Sequence, residues 1–89
     1  MRILLYTRRG CHLCEAAEDL LVCMGVDVLT VDVDADAAAR ERYGLRVPVL
    51  EAGGRTLLEG RFDAERIARA LSEAQVESAP GERVYEAGR

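Results

Sequence analysis

Lysine, asparagine and tryptophan are absent from these 89 residues, and the aromatic side chains amount to one Phe and three Tyr. With so few rings, the core has to be built from Leu, Val, Ala and Ile. Apart from His12, every basic side chain is Arg, a bias that fits a GC-rich genome or a hot habitat. The net charge of −4 is spread along the chain with no basic run, which excludes an extended phosphate-binding surface. No stretch approaches the roughly 20 apolar residues that span a bilayer, and no charged leader with an apolar core precedes the first strand-like run. No nucleic-acid partner and no membrane association are therefore expected, and the expected compartment is the cytoplasm. There a lasting disulfide is unusual and a reactive dithiol is ordinary. Cysteine is scarce as well, with three in the chain, and the length allows one small domain with a core just large enough to fold unaided.

Two of those cysteines organise the rest. In Tyr6-Thr7-Arg8-Arg9-Gly10-Cys11-His12-Leu13-Cys14 they stand three apart where one period gives way to another. Ile3 to Tyr6 is a short apolar run, long enough for a buried strand and too short for a helix. From Leu13 onward, Ala16, Ala17, Leu20, Leu21 and Met24 recur at helical spacing. Gly10 and Cys11 thus fall at a helix N-terminus, where unpaired N–H groups and the macrodipole favour a thiolate, with Arg8 and Arg9 adding positive charge. A zinc site would have to enlist His12 and Cys23 beside Cys11 and Cys14, and the second ligand pair such sites normally use is missing. A purely structural disulfide would close a loop within one helical turn and constrain little. Redox chemistry is the favoured reading, and no metal site is expected.

The first helix is expected from about His12 to Met24, ended by Gly25. Cys23, between Leu20 and Met24, is expected on the core side, chemically silent. Glu15, Glu18 and Asp19 face outward and complement the dipole, with proton exchange between Glu15 and Cys14 as the minor alternative. Val26 to Asp32 reads as a second strand. Asp32-Val33-Asp34-Ala35-Asp36 imitates a calcium loop, but Ala37 and Tyr43 stand where Gly and Glu are required. Asp34 or Asp36 instead caps a short helix, Ala35 to about Tyr43, closed by Gly44. Two apolar runs around Gly53-Gly54 predict an antiparallel hairpin, with Pro48 opening its first strand. Asp63 caps a third helix carrying Ala64, Ile67, Ala68 and Leu71 on its apolar face. Residues 1–75 form the expected domain and 76–89 a tail, which Val84 and Tyr85 are placed to dock.

The order β-α-β-α-β-β-α, with Cys-x-x-Cys at the first strand-to-helix junction and Val47-Pro48 opening the third strand, resembles the thioredoxin fold. More narrowly it resembles the glutaredoxins, on the segment Tyr6 to Cys14, on Val47-Pro48, and on the turn Glu59-Gly60-Arg61-Phe62-Asp63. The resemblance implies an α/β fold with a central four-stranded mixed sheet and helices on both faces. It implies a Cys11 that attacks, a Cys14 that resolves, and a cis Pro48. It also implies a substrate or glutathione surface made by Arg8, His12, Val47, Pro48, Gly60, Arg61 and Asp63. His12-Leu13 replaces the family's Pro-Tyr, Arg46 its threonine, and Phe62 an aspartate that would meet the γ-glutamyl ammonium group. Half of a glutathione site is thereby retained.

The expected activity is thiol–disulfide oxidoreduction by a monomer with no tightly bound cofactor. Its substrates would be protein or small-molecule disulfides, with glutathione as co-substrate or a flavoprotein as reductant. Two alternatives stand beside it. One is a redoxin that donates electrons to a single enzyme and is recharged by a thioredoxin-reductase-type flavoprotein. The other is a non-enzymatic carrier of an iron–sulfur cluster or soft metal.

Overall fold

The computed structural model describes residues 2–74; the expected tail, with Val84 and Tyr85, lies outside them. The apolar run near the N-terminus is strand β1 (Ile3–Thr7), and the sequence after it is helix α1 (His12–Cys23). Three backbone bonds close α1: Met24 N–H donates to Leu20 O, Gly25 N–H to Val22 O and Val26 N–H to Leu21 O. Gly25 sits at φ +73°, so this is a Schellman ending of the kind glycine permits.

The chain reversal occupies Val26, and strand β2 (Leu29–Asp32) begins three residues later than the β-branched run predicts. Val26 and Val28 still pack against the core, half-buried. A short 3-10 turn (Val33–Ala35) follows, with the Asp32 carboxylate accepting from Asp34 N–H at 2.9 Å. Asp36 then caps helix α2 (Ala37–Tyr43), which therefore starts two residues beyond the expected Ala35. Gly44 ends α2 in an ordinary right-handed conformation, φ −56°. A Cβ there would lie 2.5 Å from Arg40 O, so glycine is required by space and not by torsion. The Val47–Pro48 bond is cis, and strands β3 (Val49–Ala52) and β4 (Arg55–Glu59) follow. Gly53 and Gly54 both have positive φ, the signature of a tight two-residue hairpin turn. Asp63 caps helix α3 (Ala64–Glu73), its carboxylate accepting from Arg66 N–H at 2.8 Å.

The sheet order is β2-β1-β3-β4, with β1 parallel to β2 and antiparallel to β3, and β3 antiparallel to β4. Because β1 and β3 are central, alternate residues feed two cores. Ile3, Leu5, Leu50 and Ala52 face α1 and α3, where Leu21 and Ile67 are fully buried. Tyr6 and Val49 face α2, with Val33, Ala39 and Tyr43. Helices thus cover both faces of a mixed four-stranded sheet, as the element order implies.

The helical stripes are narrower than expected. On α1 only Cys14, Ala17 and Leu21 are buried, while Leu13, Ala16 and Cys23 are exposed. The core-side placement of Cys23 is therefore corrected: it lies about two and a half turns beyond Cys14, on the opposite face. On α3, Ala68 points outward and Ala70 takes its place against the core.

Candidate redox site

The end of β1 delivers the candidate residues. Tyr6 pairs with Val49 and Thr7 with Asp32, so Thr7 leaves the sheet between Asp32 and Pro48. Gly60 N–H donates to Pro48 O at 3.0 Å, which brings the start of the turn after β4 to the same rim. Beyond Thr7, Gly10 at φ +79° bends the chain and Cys11 becomes the N-cap of α1. Cys11 N–H returns to Arg8 O at 3.2 Å.

At that cap the two sulfurs occupy different surroundings. Cys11 is partly exposed, and its Sγ accepts the Cys14 N–H at 3.1 Å, one of the orphan donors of the first turn. A sulfur receiving an N–H at a helix N-terminus is favoured as a thiolate. Cys14 is 2% exposed, one turn into the helix. The pair is joined by a disulfide, with the two Cα atoms 5.2 Å apart. Cys14 is reached from an open cleft of about 290 Å³ whose other walls include Thr7, Arg8, Glu18 and Asp32.

The remaining predicted residues distribute unevenly. Arg8 lines that cleft with its charge already engaged: its Nε and Nη2 donate to Asp34 at 3.0 Å each, and Nη1 donates to Gly44 O at 2.9 Å. The hydrogen bonds from Arg8 hold the Asp34 carboxyl below the usual carboxylate range. His12 is almost wholly exposed, its Nδ1 3.8 Å from Glu15 Oε1. Pro48 is buried and Val47 half-buried, while Arg61 is exposed. Asp63 spends a carboxylate oxygen on capping α3, and Phe62 packs half-buried against the α1–α3 core. Arg46 forms a two-pronged pair with Glu59, 2.8 Å at each contact, and this bond holds the Glu59 carboxyl below its ordinary range.

Two features went unread in the sequence. One is Asp34 as the partner of Arg8, 26 residues away along the chain. The other is Glu51, a 5%-exposed acid on β3 that accepts from Tyr6 OH at 3.2 Å, Tyr43 OH at 2.6 Å and Arg42 Nη2 at 3.3 Å. Burial, then the Glu51 charge, pushes the Tyr6 phenol above its ordinary value. The alternation Val49, Glu51 on a strand with apolar neighbours was the available signal for that inward acid.

Among known families, the glutaredoxin-like domain (DUF836) matches residues 2–72. The solved structure of protein XcR50 from X. campestris is 41% identical, covering 80% of this chain and 96% of its own, with a TM-score of 0.72. Protein Ne2328 from Nitrosomonas europaea is 27% identical over 76% of this chain and 87% of its own, TM-score 0.66. NrdH-redoxin from Escherichia coli, a glutaredoxin-like protein with a thioredoxin-like activity profile, is 29% identical over 76% of this chain and 93% of its own, TM-score 0.60. No curated protein matches the chain.

Proposed function

The chain belongs to the glutaredoxin-like domain family and is a thiol redox protein with a thioredoxin-like fold, and on that premise we propose that it is a dithiol thiol–disulfide oxidoreductase. In this reading the Cys11 thiolate attacks one sulfur of a substrate disulfide, forming a mixed disulfide and expelling the other sulfur as a thiolate. Cys14, deprotonated in its turn, attacks Cys11 Sγ and releases the second substrate thiol. The substrate gains two electrons and the Cys11–Cys14 disulfide holds the oxidation. An external thiol or a flavoprotein reductase then returns the pair to the dithiol.

The observation that carries this assignment is the asymmetry of the pair. Cys11 is the accessible cap whose sulfur receives a helix N–H, while Cys14 is buried one turn further in. Attack from outside favours the first, and intramolecular release favours the second. Val47, beside the buried Pro48, is the backbone edge we assign to the substrate, with Gly60 bonded to Pro48 O on the same rim, and we assign His12, Arg61 and Asp63 to the substrate surface as well. The protein acts as a cytoplasmic monomer in this proposal.

The source of electrons has a second reading, recharge by a thioredoxin-reductase-type flavoprotein. It is favoured by Phe62, which offers no charge to a γ-glutamyl ammonium group and packs half-buried against the core. The Cys14→Ser variant tests the main assignment. It should trap a mixed disulfide, seen as a mass increase that reductant removes, and Cys11→Ser should trap nothing. Trapping by Cys11→Ser in place of Cys14→Ser reverses the roles. Coupled assays with glutathione plus its reductase, against thioredoxin reductase, separate the two electron sources.

A further inference from the structure

Arg8 stands three residues before Cys11 and lines the cleft that reaches Cys14, yet its charge is already met within the chain. Both carboxylate oxygens of Asp34 are engaged by Nε and Nη2, and Gly44 O is engaged by Nη1. A guanidinium carries five N–H donors, so the remaining ones lie beside a carboxylate that is already seated. An arriving carboxylate has two routes. It displaces Asp34 from the two-pronged contact, or it takes the remaining donors and lies against a like charge. Both routes weaken binding.

The size of the penalty follows from exposure. The side chains of Arg8 and Asp34 are 33% and 44% exposed. Exposed ion pairs bias an equilibrium by up to about fivefold, so Asp34 is a displaceable competitor and not a plug. A small thiol has few groups with which to gain affinity, and a carboxylate is the strongest of them for an arginine. A protein disulfide docks through a wider surface and has no need of that contact.

We propose that Asp34 is a specificity-determining residue: a resident carboxylate that occupies the anion site of Arg8 and disfavours small, carboxylate-bearing thiols and disulfides relative to protein disulfides. The proposal rests on the thiol–disulfide reading of Cys11 and Cys14.

The test compares S-methylglutathione with the same peptide bearing both carboxyl groups as amides, titrated into the disulfide form of the full chain and followed by NMR. In Asp34→Asn and Asp34→Ala the carboxylate probe should bind about two- to fivefold tighter than in the parent, with the amide probe unchanged. Adding Arg8→Met to Asp34→Ala should erase the gain. Asp34→Asn keeps the side-chain volume, so a gain shared by both variants is not a product of a misfolded turn. An unchanged carboxylate-to-amide ratio in both Asp34 variants, including no binding by any form, overturns the proposal. So does an equal gain for both probes, which marks loosening without carboxylate recognition. The capped sulfur undergoes no exchange, so this ratio and the Cys14→Ser trap can each fail while the other succeeds.

Discussion

The two faces of the sheet are built on different principles. On the α1–α3 face the buried contacts are aliphatic, and Leu5, Leu21, Leu50 and Ile67 have no exposed surface. That layer is held by removal of apolar area from water, which is non-directional and tolerates rearrangement. On the α2 face the rings of Tyr6 and Tyr43 stand 4.6 Å apart around the Glu51 carboxylate. Arg42 and Arg46 lie over Tyr43, 4.8 and 5.4 Å from its ring centre. There a buried charge is tolerable only while its partners stay in place. The difference teaches how the molecule divides its tasks. The aliphatic layer joins α1 and α3 to the sheet, and the polar layer ties α2, through Arg42 and Tyr43, to Tyr6 of β1 and Glu51 of β3.

Breaking the aliphatic side should cost most. Leu21→Ala is expected to destabilise by about 3 kcal/mol, measured by urea unfolding, because the cavity lies among fully buried neighbours. On the polar side, Glu51→Ala should cost about 2 kcal/mol by leaving the buried Tyr6 hydroxyl without its partner and removing the 2.6 Å bond of Tyr43, which keeps Arg42 and Thr56. The combination Tyr6→Phe, Tyr43→Phe and Glu51→Leu should cost less than Glu51→Ala alone, since it removes donors and acceptor together. If the triple variant is the less stable, the polar layer contributes net stability and the two faces differ less in what holds them.

Acid and alkali should act on the polar side first. The Asp34 and Glu59 carboxyls are lowered by their bonds to Arg8 and Arg46. Their contribution is present above the unfolded carboxylate values near pH 4 and is lost as pH falls through the lower folded values. Tyr6 has the opposite sense. Its raised phenol contributes fully below about pH 10, and that contribution is lost as pH rises through the folded value. Urea midpoints against pH should therefore fall at both ends, and Asp34→Asn with Glu59→Gln should flatten the acid limb. The smallest effect is expected at Cys23. Being exposed, it should be alkylated readily in the disulfide form, and Cys23→Ser should change stability by less than about 0.5 kcal/mol.

Legibility followed the range of the interactions. The change of period around Cys11, the Gly53-Gly54 turn and the Asp63 cap are local, and each stands where the sequence reading puts it. The cis Pro48 was legible partly through family resemblance and partly through the steric need to present a backbone edge beside Cys11. Cys23 misled because Leu20, Val22 and Met24 surround it, so a broad stripe and a narrow one both fit the letters. Glu51 shares a strand face with Val49, and that face is known to be buried only once β3 is known to be central. The partner of Arg8 lies in a turn whose own residues advertise capping, and nothing local ties Asp34 to an arginine before the first helix.

Gly44 gives the polar layer a consequence for protein engineering. Its carbonyl holds Arg8, and a Cβ added there would come within 3.3 Å of Arg8 Nη2 as well as striking Arg40 O. A single methyl at Gly44 would therefore disturb the end of α2 and the seat of Arg8 together, from a site outside the Cys11–Cys14 segment. Libraries that vary only the residues between the cysteines would miss it.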